Sequence, residues 1–144
     1  MTEFQLGSIS TGTLRTEDLL FDFALALREF EDKWNSEHEA LYDQAKQHMA
    51  QAPSESELNQ TVSNLQDALQ EYCPPFVYFG ALEGDGADFG FWPDIETIQE
   101  IVNIAECDAS QGISCPDDGV IVQVSDHGNV TVMDMERNVL WSVV

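Results

Sequence analysis

The chain has 144 residues, which is room for one domain and one core. Its 27 Asp and Glu against 5 Lys and Arg leave a formal charge of −22, which repels nucleic acid and anionic membrane and argues against direct binding to either. With 43% hydrophobic residues, eight Phe, three Trp and three Tyr, it carries the apolar content that a disordered acidic tail lacks.

Residues 1–15 are rich in Ser, Thr and Gly, with isolated apolar positions at Phe4, Leu6, Ile9 and Leu14, and are expected to form a short strand or an extended arm. Thr16 is the expected cap of a first helix, with Glu17 and Asp18 in its first turn, where the helix dipole favours anions. Leu20, Phe23, Leu27, Phe30 and Trp34 recur at helical spacing as a buried stripe, with Asp18, Asp22, Glu29 and Asp32 off it. Asn35-Ser36 interrupts this helix. Ser36-Glu37-His38-Glu39 reads as a capping box for a second, weakly amphipathic helix carrying Leu41, Ala45 and Met49. Pro53 ends it, and Ser54-Glu55-Ser56-Glu57 opens a third whose core-facing stripe is Leu58, Val62, Leu65, Leu69 and Tyr72.

Cys73-Pro74-Pro75 stops the helices, and Phe76-Val77-Tyr78-Phe79-Gly80-Ala81 is a β-prone run. Gly84-Asp85-Gly86 is turn chemistry, after which Asp88-Phe89-Gly90-Phe91-Trp92 returns as the second strand of a hairpin. Pro93-Asp94 starts a helix running to residue 106 that buries Ile95, Ile98, Ile101, Val102 and Ala105, followed by a loop around 107–119. Val120-Ile121-Val122-Gln123-Val124 is a strand, Asp126-His127-Gly128-Asn129 a turn, and Val130-Thr131-Val132-Met133 its partner strand. Glu136-Arg137-Asn138 turns the chain once more into a closing strand over 139–144. Helices first and strands second predict an α+β fold: N-terminal helices packed on a C-terminal antiparallel sheet of four to five strands with one inserted helix. All of it is expected in a single acidic domain, 1–144, with Phe23, Leu27, Leu65, Leu69, Ile98, Ile101, Val122 and Val132 in one core.

The charge is not gathered in a tail. Up to Pro75 there are 14 acidic and 4 basic residues, and from Phe76 onward 13 acidic and 1 basic. Carboxylates interleaved with core positions are displayed by a fold, whereas a tail concentrates them in a polar block. Solubility asks for a net charge of only about 2–8 in a small domain. The excess serves either a salt-rich habitat and solubility, or recognition of a basic surface on another protein.

No apolar run reaches the roughly 18 residues that a membrane span needs. Met1-Thr2-Glu3-Phe4-Gln5 has no basic stretch leading into an apolar one, as a secretory leader would. Three cysteines, Cys73, Cys107 and Cys115, are too few and odd in number for a disulfide framework and read as reduced thiols. The expected compartment is the cytoplasm.

Three stretches carry a resemblance. Gly12-Thr13-Leu14-Arg15-Thr16-Glu17-Asp18-Leu19 lies near the start. Tyr78-Phe79-Gly80-Ala81 runs into Gly84-Asp85-Gly86-Ala87-Asp88-Phe89-Gly90-Phe91-Trp92, and Asp126-His127-Gly128-Asn129-Val130-Thr131-Val132 follows. In this order they resemble a functionally uncharacterised group of small acidic proteins encoded by phages and other mobile elements. The resemblance implies a setting inside a bacterial host and carries over no catalytic residue. The chain departs from the group with Leu82-Glu83 in place of a His-Pro or His-Glu pair, which argues against a required histidine there.

Candidate chemistry is sparse. Glu83-Gly84-Asp85-Gly86-Ala87-Asp88 gathers carboxylates in a glycine loop but lacks the alternating oxygen ligands and closing Glu of an EF-hand, so a hairpin turn is expected, with no metal. It has no Lys after its glycines to hold a phosphate. Asp88-Phe89-Gly90 copies a kinase triplet without the strand lysine or catalytic loop that would give it meaning. Asp126 beside His127 is a polar turn, and no cysteine has the basic neighbours that would lower a thiol pKa. His38 and His48 share no helical face or zinc spacing and are expected at the surface.

What remains is the array of carboxylates. Residues three or four apart on a helix hold Cβ atoms about 5–6 Å apart, whereas B-DNA carries one charge per roughly 1.7 Å of axis, both strands counted. A rigid array of carboxylates nonetheless presents dense, fixed negative charge to a DNA-binding groove, as phosphates do. The sequence predicts a non-enzymatic inhibitor or decoy, of anti-restriction or anti-CRISPR type, whose partner is a basic nucleic-acid-binding protein of the host. No catalytic residue and no cofactor is expected. Its candidate contacts are Glu29, Glu31, Asp32, Glu37 and Asp43 on the first two helices and Glu83, Asp85 and Asp88 in the hairpin. The alternatives are a phage or plasmid accessory protein whose charge serves solubility, and a small metal-dependent hydrolase.

Overall fold

The computed structural model describes residues 4–51, 53–82, 84–105 and 109–143. The fold is α+β, as its sequence predicts. Two compact units divide the chain. One comprises Gly7–Cys73 and Phe79–Trp92, and the other Met1–Leu6, Pro74–Tyr78 and Pro93–Val144.

The first, helical unit holds strand β1 (Gly7–Ser10) and helices α1 (Thr16–Arg28), α2 (Ser36–Ala50) and α3 (Glu55–Glu71). It also holds most of strands β2 (Val77–Leu82) and β3 (Asp85–Pro93). Phe23, Leu27, Leu65 and Leu69 are all 0% exposed and centre its core. Phe23 meets Phe79 edge-on at 5.0 Å and Phe89 at 5.4 Å, while Phe79 meets Phe91 at 4.9 Å, geometry that suits the aromatic quadrupole.

The helix ends depart from expectation in instructive ways. Arg15, not Thr16, is the N-cap of α1 and makes no side-chain capping bond. That helix closes at Arg28, short of Phe30 and Trp34, and the chain tightens into a 3-10 turn over Glu31–Lys33. Trp34 then donates its indole N–H at 2.9 Å to the Leu27 carbonyl, which also accepts the Phe30 backbone N–H at 3.0 Å, so the turn is tied back to the helix end. The cap of α2 is Asn35, whose side chain accepts the His38 N–H at 2.8 Å, so the expected box slips by one residue. Ser54 caps α3 as predicted, accepting from the Glu57 N–H.

The hairpin strands do not join the C-terminal sheet. They form a three-stranded sheet in the order β1-β3-β2, with β1 antiparallel to β3 and Ser8 opposite Gly90. A side chain at Gly90 would overlap the Gly7 backbone, so glycine lets the two strands close.

The second unit contains helix α4 (Ile95–Ala105), a 3-10 turn (Ala109–Gln111) and strands β4 (Ile113–Cys115), β5 (Val120–Val124), β6 (Val130–Asp134) and β7 (Val139–Val143). Asp94 starts α4 by accepting the Thr97 backbone N–H at 3.2 Å and its hydroxyl at 2.8 Å. Of the helix's five expected core residues only Ile98 is fully buried, and Ile95 is exposed. The four strands form an antiparallel meander, β4-β5-β6-β7. Ile113, Val122, Val132 and Trp141 stand opposite one another across it, all buried. Trp141 donates its indole N–H to the Pro75 carbonyl at 2.8 Å. The eight residues expected in one core thus fall four to each unit, with Ile101 only half-buried.

Candidate functional site

Helix α2 has little to bury. Only His38 and Ala45 are inside, and its weak amphipathicity leaves no broad apolar seam for packing on α1 and α3. A cleft of about 870 Å³ opens between α2 and α3 as a result. Its walls carry four carboxylates, Glu37 and Asp43 from α2 and Asp67 and Glu71 from α3, together with the amides Gln44, Gln47 and Asn64. Among the described residues no Lys or Arg lines it.

One end of the cleft is held by His38, which is buried at 5% exposure and not at the surface as its spacing predicts. Nε2 lies 2.5 Å from the Glu71 carboxylate and Nδ1 2.5 Å from the Tyr72 hydroxyl. An ionised carboxylate only accepts, so in the neutral imidazole Nε2–H donates to Glu71 and Nδ1 accepts from Tyr72. Burial, and then the Glu71 charge, push the Tyr72 phenol above its ordinary pKa, so it keeps the proton it donates. The tyrosine ring stacks on Phe30 at 4.7 Å. This clasp joins α2 to the end of α3 and fixes the spacing of the acidic walls.

The eight sequence-predicted contact residues scatter. Glu37 and Asp43 line the cleft, exposed on α2. Glu29 caps the end of α1 and Glu31 and Asp32 lie in the following 3-10 turn, all exposed and none lining the cleft. Asp85 is exposed at the start of β3, its carboxylate accepting the Ala87 N–H at 3.2 Å. Asp88 is half-buried in the same strand, with Oδ1 shut from solvent and without a hydrogen-bond partner among the described residues. Glu83 lies outside the described residues. Asp67 and Glu71 also line the cleft, and only the packing of α3 beside α2 sets them opposite Glu37 and Asp43. Their signal was the four-residue spacing on the polar face of α3, next to the Leu65–Leu69 stripe.

Nucleophilic chemistry finds no support in the two described thiols. Burial pushes Cys73 up to about 12, and Cys115 is raised by burial and then by Asp118, so neither is an activated thiolate. Cys107 lies outside the described residues. Asp126 and His127 are exposed in the turn between β5 and β6. Among the described residues no three His, Cys, Asp or Glu side chains converge closely enough to hold a metal ion, and no helix is long and apolar enough to cross a membrane. Comparison of the chain with protein-family models, curated proteins and solved structures finds no match.

Proposed function

We propose that this protein is a non-enzymatic binding protein, an inhibitor or decoy that captures a basic, nucleic-acid-handling protein of a bacterial host through its acidic surface. The observation that carries this reading is the α2–α3 cleft, where four carboxylates face a concave space with no Lys or Arg among the described residues that line it. Asp67 and Glu71 sit one helical turn apart, so their Cβ atoms are about 5–6 Å from each other. Such a fixed anionic array suits a Lys- or Arg-rich element that otherwise grips phosphates, in the manner of an anti-restriction or anti-CRISPR protein. The whole chain's charge of −22 adds long-range attraction to a basic partner and speeds encounter.

The test is a pull-down from bacterial lysate at low and high salt, followed by competition of the captured protein against DNA. The reading expects capture that weakens steeply with salt and displacement of DNA by the wild type. The variant Glu37→Gln, Asp43→Asn, Asp67→Asn should lose most of this affinity with its circular dichroism intact, while Glu29→Gln, Glu31→Gln, Asp32→Asn should retain it. Retention by the cleft variant at low salt would remove the cleft from the function.

A further inference from the structure

A second surface on the helical unit differs from the acidic cleft in chemistry. Phe21 and Leu25 lie four residues apart on one face of α1, about 6 Å along the helix axis, and are 51% and 43% exposed. Met49, at the end of α2, is 42% exposed, and it shares with Phe21 the wall of a cleft of about 440 Å³ that also receives Leu20, Pro53 and Leu58. Pro53 and Leu58 continue into a neighbouring depression where Leu14 stands 65% exposed. Phe21, Met49 and Leu14 along two adjoining depressions, with Leu25 one turn on from Phe21, form a strip that is more than the scattered apolar side chains of an ordinary surface.

The rim tells what covers it. Glu17 lines both depressions and Glu55 the outer one, while Asp22 lies beside Phe21 on α1. Arg15 is drawn to Glu17, 3.8 Å away, and Arg28 ends the row beyond Leu25. A second copy of the chain would bring another charge of −22 against this face, which opposes self-association. His48 adds an independent sign: it lines the same cleft, and its Nδ1 is shut from solvent with no hydrogen-bond partner among the described residues. Such an atom is costly unless an occupant supplies the missing bond.

We propose that this strip docks an amphipathic helix of a basic protein, its apolar face on Phe21, Leu25 and Met49 and its flanking Lys or Arg side chains over Glu17 and Asp22. Apolar anchors at successive turns of the incoming helix match the one-turn spacing of Phe21 and Leu25. The proposal rests on the basic partner inferred above and adds a second, apolar half to its recognition. Charge would bring the partner in, and the strip would hold it against salt.

Two synthetic helical peptides of equal charge, one of Leu and Lys and the other with every Leu replaced by Ala, test it by titration against the full chain. Burial of large apolar anchors should make the Leu/Lys peptide bind the wild type at least about tenfold more tightly. The double variant Phe21→Ser, Leu25→Ser, both positions exposed, should bind the two peptides equally, and amide shift changes should centre on Phe21, Leu25, His48 and Met49. Undiminished preference for the Leu/Lys peptide in that variant, or shift changes centred elsewhere, would overturn the proposal. A concentration-dependent dimer abolished by the double variant would overturn it in favour of a second copy. The cleft variant Glu37→Gln, Asp43→Asn, Asp67→Asn should weaken the Ala/Lys peptide without altering the Leu/Ala preference, so failure of the acidic cleft and failure of the strip give different results.

Discussion

The Tyr72 hydroxyl meets Nδ1 of His38 at 2.5 Å, bridging 34 residues of sequence to tie the start of α2 to the end of α3. Because the tyrosine ring also stacks on Phe30, Tyr72→Phe keeps the stack and removes only the hydroxyl. The expected cost is about 0.5–1.5 kcal/mol, that of one hydrogen bond. His38→Ala should cost more, about 1–3 kcal/mol, by leaving the phenol without its acceptor and emptying a buried site. Urea denaturation of the two single variants and the double variant checks this. Simple addition of the two losses would show that the residues do not act as a pair.

Leu65 and Leu69 face the centre of the helical unit at 0% exposure. Either changed to Ala should cost about 2–5 kcal/mol, the usual loss for a buried leucine with its cavity. Val62, half-buried one turn before, should cost less when truncated. An unchanged thermal midpoint for Leu65→Ala or Leu69→Ala would mean that α3 turns another face inward.

The glycines of the hairpin separate by backbone angle. Positive φ belongs to Gly84, at 91°, and not to Gly86, which lies within β3 with open space where a Cβ would stand. Gly84→Val should therefore destabilise by about 1–2 kcal/mol, whereas Gly86→Val should stay within about 0.5 kcal/mol of wild type. Gly90→Ala should be worse than either, because its Cβ lies against the Gly7 carbonyl and the β1–β3 pairing must part to admit it. Thermal melts of the three variants, ranked, decide the point.

Asp134 closes the turn from β6 to β7. Its carboxylate accepts the Asn138 and Glu136 backbone N–H groups, each at 2.9 Å, and the Asn138 side-chain amide at 3.0 Å. The Asn138 backbone bond, followed by its side-chain bond, holds the pKa below the ordinary aspartate value. A folded-state pKa below the unfolded one stabilises the turn above the ordinary value, and that stabilisation is lost as pH falls through the depressed one. An NMR titration should show the Glu136 and Asn138 amides shifting together in acid, with a midpoint below that of aspartate in an unfolded peptide. A midpoint at or above the unfolded value would contradict these bonds.

The sequence by itself determined the features that depend on near neighbours. Helical spacing placed Phe23, Leu27, Leu65 and Leu69 inside, the Ser54 cap and the turns at 126–129 and 136–138 stood where their residue types put them, and the order of elements yielded the α+β class. These follow from local periodicity and turn chemistry, which residues a few positions apart settle among themselves. Strand β4 escaped because three residues in a polar loop are too few to show a period. Only the tertiary structure decided that β1 completes the hairpin sheet, since a backbone edge is paired by whichever strand reaches it, and hydrogen-bond partners leave little mark on side-chain pattern. It likewise decided that Glu37 and Asp43 face Asp67 and Glu71, and that His38 is buried. A carboxylate on a helix reads as solvated until another helix is laid beside it, and an imidazole reads as exposed until Tyr72 and Glu71 arrive to bond both its nitrogens.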